Sequence, residues 1–102
     1  MGTLATTALT AVLSYTPPSD GGFVVHLAFV VSMQATVKAT VTYTDLGGTS
    51  RSESVLNNGL APDAYSVVPV TVAAAGGSAI SLLVQASVQN AVTVTASIEE
   101  LV

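Results

Sequence analysis

Few side chains in this 102-residue chain can do chemistry: one histidine, His26, six carboxylates at Asp20, Asp45, Glu53, Asp63, Glu99 and Glu100, and three tyrosines at Tyr15, Tyr43 and Tyr65. A lone imidazole can act as general base toward a serine or threonine hydroxyl when a carboxylate holds its other nitrogen. Hydroxyls are abundant here, yet no Gly-x-Ser-x-Gly turn is present to raise one at a strand end. His26, in the most apolar stretch of the chain, therefore reads as a packed or interface histidine bonded to backbone. The carboxylates, Glu53 excepted, fall in expected loops or near the terminus. None has the Asp-x-Asp-x-Asp-Gly spacing of a calcium loop, and Asp beside Gly reads as turn chemistry. A glycosidase pair would need aromatic platforms and basic groups, but aromatics are 5% and Lys and Arg together number 2. The tyrosines could line a carbohydrate-binding face; each sits near a strand end, where a buried ring with a wet hydroxyl is structural. The sequence thus assigns no catalytic residue, no metal ligand and no cofactor, and describes a non-enzyme.

The elements that position these residues are strands. Ala91-Val92-Thr93-Val94-Thr95-Ala96-Ser97-Ile98 alternates fully, with Val92, Val94, Ala96 and Ile98 on one face and hydroxyl residues on the other. Seven such stretches, separated by turn signals, predict a single all-β domain over residues 1–102, an antiparallel β-sandwich of jelly-roll or Ig-like type. The first, Leu4 to Tyr15, is weakly patterned, and its alanines leave a helical reading open; the loop Thr16-Pro17-Pro18-Ser19-Asp20-Gly21-Gly22 closes it. Phe23 to Met33 is apolar on both faces, as expected of a central strand covered by its own core on one side and by a neighbouring subunit on the other.

Thr36 to Asp45 alternates again, and Gly47-Gly48 predicts a two-residue hairpin that sets Asp45 opposite Ser50, Thr44 opposite Arg51 and Thr42 opposite Glu53. That register places Lys38, Arg51 and Glu53 on one solvated outer face. A loop is expected over Asn57 to Asp63. Pro69 makes Ala64 to Ala74 an edge strand or a bulged one. Ile80 to Val88 and the final strand, joined at Gln89-Asn90, read as the best-defined hairpin of the sequence.

Composition narrows the partners. Two basic residues and a formal charge of −4 provide no phosphate-neutralising field, which argues against nucleic acid and against anionic membranes. No apolar run reaches the length of a spanning helix, about 18 residues. The segment from Leu4 to Leu13 lacks a positively charged start and is broken by Thr6, Thr7 and Thr10, so no signal peptide is expected and synthesis in a cytosol follows. With no cysteine there are no disulfides or thiolate metal sites. Charged residues are 8% of a chain that is 50% hydrophobic, too few to blunt sheet edges and faces in a free monomer. Homo-oligomeric assembly is the expected remedy, with Met1 or Val102 held by a neighbour.

The segments Val41-Thr42-Tyr43-Thr44-Asp45, Gly47-Gly48, Leu56-Asn57-Asn58-Gly59 and Ala96-Ser97-Ile98-Glu99-Glu100-Leu101 resemble, over about 60 residues, the small Thr/Val/Ala-rich β-sandwich structural proteins of tailed bacteriophages. The resemblance implies a virion component made in the host cytoplasm. It would be a capsid decoration or stabilising protein, such as a homotrimer seated on the major capsid protein, or a tail or fibre piece. A receptor- or glycan-binding tip is the alternative it leaves open. No capsid-contact residue carries over from that family to a numbered position here.

Overall fold

The computed structural model describes residues 3–101, and the expectation about Met1 and Val102 lies outside them. Eight strands follow in order: β1 Thr3–Leu4, β2 Thr10–Tyr15, β3 Gly21–Val31, β4 Ala35–Thr44, β5 Ser50–Leu60, β6 Tyr65–Ala74, β7 Ile80–Ala86 and β8 Val92–Leu101. They form two four-stranded antiparallel sheets, one ordered β1-β8-β3-β6 and the other β2-β7-β4-β5. We call these sheet A and sheet B. Strand one pairs with eight, two with seven, three with six and four with five. The chain is thus one long two-stranded ribbon, closed at the β4–β5 turn and rolled so that β3 also meets β8 and β4 meets β7. That is the double Greek-key wrap of a jelly roll, which settles the choice between jelly-roll and Ig-like sandwiches.

Period-two alternation supplies the core. Phe23, Val25, Leu27 and Val31 of β3 point inward, as do Val37, Ala39 and Val41 of β4, and all are buried. Ile80, Leu82, Val84 and Ala86 of β7 meet Val92 and Val94 of β8 in the same layer. No polar side chain is buried among the described residues, so the interior is held by aliphatic packing.

Four sequence expectations are corrected. The first predicted strand divides: β1 joins sheet A and β2 joins sheet B, with residues 5–9 crossing between them. The predicted final hairpin does not form, because β7 lies in sheet B and β8 in sheet A; the rolled ribbon pairs distant strands, and residues 87–91 bridge the sandwich. The expected loop at Asn57 to Leu60 is strand, with Asn57, Asn58, Gly59 and Leu60 opposite Lys38, Val37, Thr36 and Ala35.

The hairpin at Gly47-Gly48 slips by one residue from the predicted register. Thr44 faces Ser50, Tyr43 faces Arg51, and Val41 faces Glu53. The cause is Asp45: its Oδ1 accepts from the backbone N–H groups of Gly47 and Thr49, so a five-residue loop replaces a two-residue turn. A slip of one turns every side chain over. Arg51 and Glu53 consequently share the face of Tyr43 at an open sandwich edge, while Lys38 points outward from sheet B. A register shift between Ala39 and Thr40 then restores the phase that lets Leu56 and Leu60 pack against the core.

A candidate interaction face on sheet A

The outward residues of sheets A and B differ in kind. On sheet B they are Thr36, Lys38, Thr40, Thr42 and Thr44 of β4, with Ser50, Ser52 and Ser54 of β5 and Ser81, Leu83 and Gln85 of β7, a hydroxyl-rich surface in which Leu83 is the large apolar member. On sheet A the register stacks them in rows: Leu4, Thr93, Val30 and Tyr65; then Thr95, Ala28 and Val67; then Ser97, His26 and Pro69; then Glu99, Val24 and Thr71; then Leu101, Gly22 and Ala73. Glu99 is the one fixed charge among them. Tyr65, Val67, Val30 and Leu4 are 80%, 61%, 57% and 50% exposed, an apolar patch that a soluble monomer seldom leaves open. Between Val30, Tyr65, Val67, Thr93 and Thr95 lies a shallow depression of about 450 Å³.

This face is the second side of the strand read as apolar on both. β3 does lie between two neighbours, β8 and β6, as its composition requires. β6 is an edge strand in keeping with Pro69, which sits opposite His26. The strand-addition hazard on that side is thereby reduced, because proline offers no N–H to an incoming strand.

His26 lies in the middle row, half-buried, with Ser97 and Pro69 as cross-strand neighbours and Glu99 one row further along β8. No hydrogen bond from its ring occurs among the described residues, so the backbone bond expected of it is replaced by exposure on the sheet surface. The three tyrosines do not gather. Tyr15 packs edge-on against Phe23 with ring centroids 6.0 Å apart. Tyr43 donates its hydroxyl to Glu53 at 3.1 Å, and burial followed by that bond pushes its ionisation above the ordinary tyrosine value. Tyr65 stands alone at the other end of the molecule, beside the depression.

The three aspartates serve turns, whereas Glu53 lies in β5 and Glu99 and Glu100 lie in β8. Asp20 Oδ1 accepts from Gly76 N–H at 2.8 Å, tying the β2–β3 loop to the β6–β7 turn. Asp45 Oδ2 accepts from Arg51 Nε at 2.8 Å. The guanidinium and the Thr49 and Gly47 amides hold its carboxyl below the usual range. The Asp45–Arg51–Tyr43–Glu53 cluster was not foreseen in the sequence, because it depends on the slipped register. Asp63 occupies a left-handed turn position, φ 67°, where aspartate is tolerated. Among the described residues no three potential ligands converge on a point where a metal could sit.

The topology also sorts charge along the 40 Å long axis. The end with the β2–β3, β4–β5 and β6–β7 connections carries Asp20, Asp45, Glu53, Glu99 and Glu100 against Arg51, which accounts for the whole formal charge of −4. The opposite half holds Lys38 and Asp63, which cancel, and exposes Leu9, Met33 and Val88 besides Leu4, Val30 and Tyr65. One end is acidic and the other neutral and greasy.

No protein-family model and no curated protein matches this sequence. Solved structures do match by shape. Across 96% of its length the chain is similar to a chain of infectious bursal disease virus, Gx strain, with TM-score 0.62 and 15% identity, covering 29% of that chain. The T=1 particles derived from infectious bursal virus match with TM-score 0.63 and 16% identity over 96% of this chain and 28% of that one. The VP2 subviral particle of the same virus gives TM-score 0.61 at 16% identity, with the same coverages of 96% and 28%. This chain spans less than a third of the length of those proteins, and at such identity the likeness is one of fold alone, the β-sandwich.

Proposed function

We propose that this protein is a structural component of a virus particle, a decoration or stabilising protein that acts as a homo-oligomer on a viral shell. The observation that carries the reading is the outer face of sheet A, which has Glu99 as its one fixed charge, with Tyr65, Val67 and Val30 standing open on an otherwise complete jelly roll. The fold's likeness to virus-particle chains supports it. In this reading the partners are further copies of the chain and a major capsid protein, and the particle is that of a tailed bacteriophage. It is made in the host cytoplasm and resides in the virion. Its action is mass action: a protein that binds the assembled lattice and not free subunits stabilises the lattice by its binding free energy, with no catalytic step.

Cosedimentation with purified shells, with and without the protein, tests the reading. Saturable binding that raises the temperature at which shells release their contents is the expected result. Absence of binding at concentrations far above micromolar rejects it. A glycan- or receptor-binding module is a second reading, favoured by Tyr65 beside the depression. It requires ligand binding that Tyr65→Ala abolishes, whereas the shell reading requires no sugar.

A further inference from the structure

We infer that two copies of this chain stack face to face through the outer surface of sheet A, antiparallel, about a two-fold axis passing through the His26 row. This rests on the self-assembly half of the proposed function and names the surface and its geometry.

Three observations lead to it. The face extends about 35 Å along β3 and spans three full strands at ~4.8 Å spacing, or about 500 Å² in projection. The relief of Tyr65, Val67, Val30 and Leu101 adds to that, approaching the roughly 800 Å² each partner contributes to a stable interface. Second, the charge map selects the direction. A two-fold axis parallel to the strands would set the acidic ends of both copies side by side, whereas an axis perpendicular to the strands sets each acidic end against a neutral one.

Third, that same axis matches shapes row by row. It lays Tyr65 over the partner's Ala73, Val30 over the partner's Gly22, and Ala28 over the partner's Val24, so the high end of the face meets the low end. Leu101 of the partner comes over Thr93, at the side of the depression, and Glu99 of the partner comes within reach of the Thr95 hydroxyl. On the axis, His26 and Ser97 meet their own copies. Neutral imidazoles and hydroxyls both donate and accept, so this row can satisfy itself when water leaves. Aligned stacked sheets keep their strands within about 30° of each other and interdigitate, which the alternation of large and small residues permits.

Sedimentation equilibrium from about 1 μM to about 1 mM tests the association. A reversible dimer is expected. Val67→Asp, exposed and therefore compatible with folding as judged by an unchanged urea midpoint, weakens it at least tenfold. Thr95→Lys tightens it through the partner's Glu99. Orientation is read separately: the chain has no cysteine, so Tyr65→Cys and Ala73→Cys are unique handles. Sheets ~10 Å apart are beyond disulfide reach. A short bis-maleimide therefore joins a mixture of the two variants into heterodimers and joins neither variant to itself. A monomer at all concentrations, a trimer, or cross-linking of like with like overturns the inference. A dimer with this cross-linking pattern but no affinity for shells upholds it and removes the shell-capping reading. Shell binding by a protein that stays monomeric does the reverse.

Discussion

The double glycine Gly76-Gly77 allows a sharp test, because its two members look alike in sequence and differ in the folded molecule. A Cβ placed on Gly76 would lie 2.6, 2.7 and 2.9 Å from the Cα, C and N of Ser19. Ordinary contact begins near 3.4 Å, so the β2–β3 loop must retreat by about 1 Å or the β6–β7 turn must open. All three atoms are backbone, and no side-chain rotation relieves the contact. The retreat also pulls on two hydrogen bonds, from Gly76 N–H to Asp20 Oδ1 and from Gly77 N–H to the Pro17 carbonyl, each 2.8 Å. Overpacking of this sort costs about 1–3 kcal/mol. A weakened hydrogen bond adds about 1 kcal/mol, and the stiffer unfolded chain returns about 0.4–1 kcal/mol. Gly76→Ala should therefore destabilise by about 2 kcal/mol, or lower Tm by roughly 8–16 °C in a domain of this size.

At Gly77 nothing lies within 4 Å of an added Cβ, and the constraint is φ +82°. Asparagine tolerates that region, so Gly77→Asn should cost less than about 1 kcal/mol, while Gly76→Asn costs at least as much as Gly76→Ala. Urea unfolding followed by far-UV circular dichroism measures all three. Equal costs at the two positions, or a Gly76→Ala protein as stable as the parent, would refute the account of the loop contact.

Leu27, with 0% of its surface exposed in the centre of sheet A, should lose about 3–4 kcal/mol on replacement by alanine, read as a fall in urea midpoint at constant slope. Asp45 titrates below its ordinary value in the folded state because Arg51 and two amides hold the anion. Its contribution is complete above the unfolded value and disappears as pH falls through about 4 and on through the folded pKa. Asp45→Asn should therefore lower stability at neutral pH, with the gap to the parent closing in acid; a pH-independent gap would contradict the assignment. Pro69→Thr restores an N–H to the β6 edge. It should leave the urea midpoint within about 1 kcal/mol of the parent while speeding thioflavin-positive aggregation.

Much of the fold was legible in the sequence because burial in a sandwich obeys a local rule. A strand with one wet face must alternate, so the inward residues of β3, β4, β7 and β8 could be read before their partners were known. Pro69 announced an edge because a missing N–H is a property of one residue. Strand existence, the central place of β3 and the all-β class are of this kind. So is the largely apolar character of its second face.

Pairing is not local, and there the sequence fell short. Gln89-Asn90 looked like a hairpin turn between two adjacent alternating stretches, yet β7 and β8 part to different sheets because rolling the ribbon brings β8 onto β3 and β7 onto β4. The Asp45 side chain captured two amides and moved a register by one, which carried Arg51 and Glu53 to the other face and built a cluster with Tyr43. The candidate face depends on the same non-local choice. Alternation determined which residues of β3, β6 and β8 point away from the core. Only the pairing of three strands far apart in sequence decided that Val30, Tyr65, Val67 and His26 would lie together, with the net charge gathered at the far end.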